Sequence, residues 1–340
     1  MKKFFDSKKP VFIAEISCNH NGKLANAKKL ISLAKKCGAD LVKLQTYTPD
    51  TMTIDVKNKF FRIKDGLWKG KNLWSLYSKS QTPFSWQKTL FNYAKKVGIT
   101  CFSTPFDESA VDLLESLKCP FYKISSFEMT DVRLIKKIAQ TKKPLIISTG
   151  TSSLKEISLA YRTAKKNGAK KIVLLYCVSN YPAKIDDFNL NNIKILQKKF
   201  KCKVGLSDHS TDSSVMIGAI ALGAVFVEKH IALPGQKTGF DIQFSLRGNE
   251  IKNFINLMHN THQLISNKKF VRNESEKANK FFRKSIFVTK NIKKNEKFNE
   301  HNIRIIRPGI GLEPIYFDKI LGKKSKKNLK RGTPFKRDFY

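Results

Sequence analysis

Two lysines interrupt short apolar runs of strand-forming residues: Lys43 in Leu41-Val42-Lys43-Leu44 and Lys123 in Phe121-Tyr122-Lys123-Ile124. A lysine in such a run must either point into a polar site or lie unpaired in an apolar wall, and the second is costly. With the hydroxyls of Thr104, Ser126, Ser148 and Ser207, each placed at or just beyond a similar run, the two lysines make a cradle for phosphate. His209 and His230 follow two further runs, with Glu228 and Asp241 close by. Two imidazoles on adjacent strand ends suit a Lewis-acidic metal ion, because they leave positions open for substrate oxygens. Their spacing matches no local metal motif, and imidazole ligands admit Mn, Fe, Co or Zn. Glu15 lies inside an apolar run of its own. Alone there its pKa would rise, and beside the lysines or an ion it would stay charged. A buried pair with Lys43 accounts for Glu15 equally well. Lys123 by itself also suits a Schiff-base aldolase, for which borohydride trapping with a carbonyl substrate is the test.

These residues converge only if the strands carrying them share one mouth. Apolar β-rich runs at 11–16, 41–44, 99–102, 121–124, 145–147, 172–175, 204–206 and 225–227 alternate with amphipathic helical stretches such as 24–37, 85–97, 109–117 and 154–166. Glycines punctuate the helix ends, as at Gly38, Gly98, Gly168 and Gly223. Eight such units predict an α/β protein with a (β/α)8 TIM barrel over residues 1–266, whose site lies at the C-terminal ends of the strands. The connection from 46 to 82, rich in aromatic and basic residues, is too long for a simple turn and reads as a lid or binding loop. Residues 267–284 are polar and read as a linker. Residues 285–340 carry short strands with Gly and Pro punctuation and read as a small β-rich domain, near the lower size limit for independent stability.

Apolar residues make up 41% of the chain, ordinary for a protein with a large core. No apolar stretch reaches the ~18 residues of a membrane span. The basic N-terminus runs into Val11-Phe-Ile-Ala-Glu15 rather than a secretory leader, so a cytoplasmic location is expected. Six scattered cysteines without a C-x-x-C pair read as reduced thiols. The net charge of +38 comes from lysine pairs spread over many helices, such as Lys28-Lys29 and Lys95-Lys96. That dispersal reads as solvated surface and offers no clustered stripe for nucleic acid, while the field still draws in anions.

Several ordered motifs resemble the sialic acid synthase family. They are Phe12-Ile-Ala-Glu-Ile-Ser-Cys-Asn-His-Asn-Gly22, Gly38-Ala-Asp-Leu-Val-Lys-Leu-Gln45, Thr104-Pro-Phe-Asp107, Tyr122-Lys-Ile-Ser-Ser126, Gly205-Leu-Ser-Asp-His209 and Val227-Glu-Lys-His230. The C-terminal part, with Arg307-Pro-Gly309 and Gly332-Thr-Pro334, is similar to the antifreeze-like (SAF) domain that ends these enzymes. The resemblance covers essentially the whole chain and implies condensation of phosphoenolpyruvate with an open-chain amino sugar, phosphate leaving by C–O cleavage. It implies that His209 and His230 bind Mn²⁺, with Mg²⁺ or Co²⁺ as alternatives, and that Glu15 stabilises a cationic centre and guides water to it. Lys43, Thr104, Lys123, Ser126, Ser148 and Ser207 would hold phosphate and carboxylate. Gln45, Phe106, Tyr181 and Asp241 would contact the sugar. Arg307 would reach into a partner's site, which implies a domain-swapped homodimer.

Within the family, Gln45-Thr-Tyr-Thr-Pro-Asp50, Gly66-Leu-Trp68 and Thr82-Pro-Phe-Ser-Trp86 resemble the branch whose acceptor is 2,4-diacetamido-2,4,6-trideoxy-altrose more than the N-acetylneuraminate or legionaminate branches. One position departs from the family pattern. Two residues before Tyr181, where the neuraminate enzymes carry Asn, this chain has Ser179, and Asn180 could substitute only if the loop shifts.

Overall fold

The computed structural model describes residues 2–266 and 269–340. Eight strands, β1 (Val11–Glu15), β2 (Leu41–Thr46), β3 (Thr100–Pro105), β4 (Tyr122–Ile124), β5 (Leu145–Ser148), β6 (Ile172–Cys177), β7 (Lys203–Asp208) and β8 (Phe226–Ala232), run parallel in chain order. β1 pairs with both β2 and β8, which closes the barrel. The apolar runs of the sequence therefore become strands, but several continue beyond them. β8 extends through Glu228-Lys229-His230, with Glu228 paired to Lys123 in the mouth and Lys229 paired to Asp208 on the outer face.

Helices such as Leu24–Lys36, Phe84–Val97, Leu154–Lys166 and Asn249–Leu264 pack outside, each turning an apolar stripe onto the strands. The bottom of the barrel is plugged by the short N-terminal helix, whose Phe5 ring meets Phe121 at 5.2 Å and Phe226 at 5.6 Å. Register carries the polar residues to one level at the top: Glu15 lies opposite both Lys43 and His230, Gln45 opposite Thr104, and Ser207 opposite Glu228. The period of two in β8 turns Glu228 and His230 inward and Lys229 outward.

The connection from β2 to β3 has structure of its own. It contains the short helix Pro49–Met52, the helix Leu73–Ser80 capped by the Asn72 side chain, and a tight turn in which Gly70 N–H donates to the Ile63 carbonyl at 2.9 Å.

Residues up to Ser266 form one compact unit, and residues 267–340 group as a second. In that second unit β9 (Ser285–Val288) pairs antiparallel with β10 (Ile303–Ile306) over a core of Ile286, Phe298, Ile303, Phe335 and Phe339. The stretch read as a linker contributes 3-10 turns to this unit, with Gly309 N–H donating to the Phe281 carbonyl at 2.9 Å. Among the described residues no helix is long and apolar enough to cross a membrane, and all six cysteines are free.

Candidate active site

A cavity of about 380 Å³ opens at the C-terminal mouth of the barrel. Its floor is ionic. Lys123 Nζ donates to both oxygens of Glu228, at 2.7 and 2.9 Å, and both side chains are almost wholly buried. Lys43 Nζ pairs with Glu15, donates to Thr104 Oγ1 at 3.2 Å and lies 3.7 Å from Glu228. Burial pushes the Lys123 ammonium downward, with the Glu228 carboxylate opposing that shift. For Lys43 burial acts in the same direction, but Glu15 and Glu228 outweigh it and the pKa rises. Burial alone would raise Glu228, yet the two ammonium groups hold it below the ordinary carboxylate range. An ammonium has three N–H donors. Two of those on Lys123 are taken by Glu228, which leaves one for a ligand. Ser148 Oγ, buried in the same lining, has no hydrogen-bond partner among the described residues.

Glu15 sits behind this floor, wholly buried and outside the cavity lining. Its Oε1 accepts from the Ser17 N–H at 2.8 Å and from Gln45 Nε2 at 3.3 Å. Ser17 holds φ at +41°, in the left-handed region, which lets its N–H turn back onto Glu15 while its hydroxyl donates to Asp241 at 2.5 Å. The buried pair with Lys43 is therefore the arrangement present.

The imidazoles of His209 and His230 lie with ring centroids 5.4 Å apart. His209 Nδ1 is 3.0 Å from the Val178 carbonyl; a carbonyl only accepts, so Nδ1 carries a proton, and in the neutral ring the lone pair is on Nε2. His230 Nδ1 is buried, 3.3 Å from Asp241 Oδ2, and makes no well-directed hydrogen bond. Behind the two rings, on the outward faces of β7 and β8, Lys229 Nζ donates to Asp208 Oδ2 at 2.8 Å. That ion pair ties together the two strands that carry the imidazoles. Among the described residues no group of three or more His, Cys, Asp or Glu side chains could hold a metal ion. Glu228, which the sequence places near the histidines, belongs instead to the lysines, because β8 register sets it opposite Ser207 and within reach of Lys123.

The long β2–β3 connection forms the opposite wall. Trp68 Nε1 donates to the Phe240 carbonyl at 3.2 Å, and its ring meets Tyr181 at 5.3 Å, so the connection is strapped across the mouth. Tyr181 in turn stacks on His209 at 4.5 Å. Glu128, on the loop after β4, also lines the cavity and accepts from the Ser125 hydroxyl. Burial raises its carboxyl from 4.5 to about 7. Because the folded pKa lies above the unfolded one, this group lowers stability as pH rises from about 4.5 to about 7, and not beyond. We expect Glu128→Gln to raise the melting temperature at pH 8 by clearly more than at pH 5.5. Roughly 3 kcal/mol is the upper bound on the gain. A difference that does not change with pH would show that burial does not govern this carboxyl.

Of the residues predicted from sequence, Lys43, Gln45, Thr104, Phe106, Lys123, Ser126, Ser148, Tyr181, Ser207, His209, His230 and Asp241 all line the one cavity. Glu15 and Ser179 stand behind its wall. Gly150 leaves room for Ser179: a β-carbon there would meet Ser179 Oγ at 2.1 Å and Ser126 Oγ at 2.8 Å. Asn180 is exposed, and its amide donates to Asp187 at 3.0 Å, so it does not take the place of Ser179. Arg307 lies exposed in the second unit. The sequence reading did not single out Glu128, Trp68, Ser17 or Cys177 as site residues. For Glu128 no periodicity signals it, since it lies on a loop. For Ser17 and Cys177, a position at a strand end was the available sign.

A closed parallel barrel with buried lysines on its floor and two imidazoles at its mouth is the architecture of a (β/α)8 enzyme acting on small anionic substrates. Residues 30–270 match the NeuB family, and residues 283–339 match the SAF domain. The chain is 40% identical to a pseudaminic acid synthase of Campylobacter jejuni, over 98% of this chain and 97% of that protein. It is 41% identical to a pseudaminic acid synthase of Helicobacter pylori, covering 97% of each. Among solved structures it resembles the spore coat polysaccharide biosynthesis protein spsE of Bacillus subtilis, with a TM-score of 0.65 at 30% identity over 97% of this chain and 95% of that one. The chain belongs to the NeuB family of sialic acid synthases, enzymes that condense phosphoenolpyruvate with an amino sugar.

Proposed function

We propose that this chain is a pseudaminic acid synthase. It would join phosphoenolpyruvate to open-chain 2,4-diacetamido-2,4,6-trideoxy-altrose, with water, and release pseudaminic acid and phosphate. The observation that carries the reading is the ionic floor, where the buried Lys123 keeps a donor free beside the unpartnered Ser148 hydroxyl. A free ammonium donor and a free hydroxyl suit a phosphate or carboxylate oxygen. Lys43, Lys123, Thr104, Ser126, Ser148 and Ser207 hold the phosphate and carboxylate, in a cavity where charge-assisted contacts are strong. Ser179, whose hydroxyl is 3.8 Å from Cys177 Sγ, is the residue after β6 left for a phosphate contact.

In the reaction C3 of phosphoenolpyruvate forms a bond to the aldehyde carbon. C2 then becomes cationic, water adds to it, and the C2–O bond to phosphate breaks. Glu15, buried behind the floor with Lys43 as its partner, would add a fixed negative charge on the C2 side, and fixed charges in a dry site stabilise developing charge without reorganising. Gln45, Phe106, Tyr181 and Asp241 place the sugar.

His209 and His230 fit a divalent ion, Mn²⁺ first and Mg²⁺ or Co²⁺ next. The His209 Nε2 lone pair is free, the buried His230 Nδ1 is unpartnered, and Asp241 stands next to it. When bound, such an ion polarises the aldehyde oxygen. The cytoplasm, where thiols stay reduced, suits six free cysteines.

The test is phosphate release from phosphoenolpyruvate plus Mn²⁺ with three sugars in parallel: the altrose derivative and the neuraminate and legionaminate acceptors. Turnover with the altrose derivative alone supports the reading. Release only with another acceptor moves the chain to that branch, and release with none from folded, metal-loaded protein rejects the synthase.

The active assembly we propose is a domain-swapped homodimer. Arg307 is exposed beside Phe281, Phe282 and Ile310, themselves more than half exposed at 56%, 61% and 61%. A face of this kind calls for a cover, and the barrel mouth of a second copy supplies one. Mixing an Arg307→Ala chain with a His230→Ala chain should restore part of the activity that each lacks. Mixtures as inactive as their components would reject the swap.

A further inference from the structure

The active-site cavity is divided, and only one part of it is accounted for by an anion and a metal ion. On the barrel side stand Lys43, Lys123, His209, His230 and Asp241. On the side of the β2–β3 connection the lining is Met52, Ile63, Leu73, Leu76, Tyr77 and Phe106. Leu73, Leu76 and Tyr77 stand at i, i+3 and i+4 of the helix Leu73–Ser80, so one helical face is turned to the cavity. This wall is held in place. Tyr47 packs edge-on against Tyr77 at 5.8 Å and Phe106 at 5.2 Å, and its hydroxyl is 2.8 Å from that of Ser80. Asn72 caps the helix and its amide donates to the Val56 carbonyl at 2.9 Å.

Met52, Ile63, Leu73, Leu76 and the Phe106 ring cannot satisfy sugar hydroxyls; of the hydroxyls on this side, that of Ser80 is already engaged with Tyr47 and the Leu76 carbonyl, which leaves that of Tyr77. A hydroxyl pressed against the apolar side chains loses water and gains no partner, whereas a methyl group gains from burial.

Resting on the function proposed above, we infer that this wall determines acceptor specificity by packing against the C6 methyl and acetyl methyl groups of the sugar, and so selects 6-deoxy over 6-hydroxy acceptors. The discrimination is about 10–100-fold in kcat/KM, since an apolar pocket rejects an added hydroxyl only to about that extent. Leu73 is the position to alter, because it is half-buried in the lining and its substitution leaves the barrel untouched.

The experiment compares kcat/KM for 2,4-diacetamido-2,4,6-trideoxy-altrose and its 6-hydroxy counterpart in wild type, Leu73→Asn, Leu73→Met and, at a second place on the wall, Ile63→Asn. The expected result is a wild-type ratio of about 10–100, preserved in Leu73→Met and reduced toward one in either Asn variant. KM for phosphoenolpyruvate should stay unchanged throughout. A wild-type ratio near one overturns the inference while leaving the synthase standing. Asn variants that lose activity on both sugars in equal proportion do the same, since the wall would then be structural only. A wild type that consumes neither sugar rejects the function itself, and the inference with it.

Discussion

Replacing Lys123 with methionine is expected to abolish turnover and to destabilise the barrel at the same time. Lys123 is the bidentate partner of Glu228, with both groups buried, and Lys43 is 3.7 Å from the same carboxylate. Removing one member of such a pair leaves a charge in a dry site and costs roughly 3–5 kcal/mol. Loss of a donor aimed at the transferring group costs about 10²–10³ in rate on its own. The two effects separate in the double variant Lys123→Met/Glu228→Leu. With the orphaned charge gone and the volume filled, most of the stability should return, because apolar replacement of a buried pair is often neutral. Activity should stay absent, because the phosphate cradle has not been rebuilt. Denaturant midpoints and phosphate release measure the two quantities independently. A double variant that regains turnover, or a Lys123→Met enzyme with wild-type KM for phosphoenolpyruvate, would remove Lys123 from the cradle.

The second large effect is expected at the imidazoles. His230→Ala and His209→Ala should each weaken Mn²⁺ binding by at least tenfold and lower turnover by about 10³ or more, since carbonyl polarisation contributes several kcal/mol. Titration followed by Mn²⁺ resonance reads the binding without reference to catalysis. Chelation of the wild type should reproduce the kinetic loss, and re-addition of Mn²⁺ should reverse it. The outward ion pair of Lys229 with Asp208 bears on the same centre, because it clamps β7 to β8 just behind both rings. Undiminished Mn²⁺ affinity in both His variants would place the ion elsewhere, and full activity after chelation would remove the metal from the reaction.

Much of this site could be read in one dimension. Lys43 and Lys123 break apolar strands, and a strand buried on both faces tolerates a lysine only where a polar mouth receives it. His209 directly follows β7 and His230 lies near the end of β8, consecutive strands that pair side by side. These signals are local, repeated eight times, and need no knowledge of distant partners. The alternation that sets Glu228 and His230 on one side and Lys229 on the other shows only once β8 is seen to run on to Ala232.

Pairing across strands was decided only by the closed barrel. Glu228 was assigned to the histidines by its nearness in sequence, and it belongs to Lys123, more than a hundred residues away, because register and closure bring those two together. Residue type and spacing leave Glu15 between a catalytic role and a partnership with Lys43. The fold puts it opposite Lys43 and His230 at once, behind the cavity rather than in it. Ser179 and Asn180 could not be told apart by type, yet the loop turns one toward Gly150 and the other out to Asp187. The β2–β3 connection was legible as a binding loop by its length and aromatic content. Which side chains it turns to the substrate depends on the helix Leu73–Ser80 and the Trp68 strap, both set by tertiary contacts. The sequence by itself determined the strands and the kinds of chemistry available. Which charge neutralises which, and which wall the sugar meets, follow from closing the sheet, because those contacts join residues that only the barrel brings within a few ångströms.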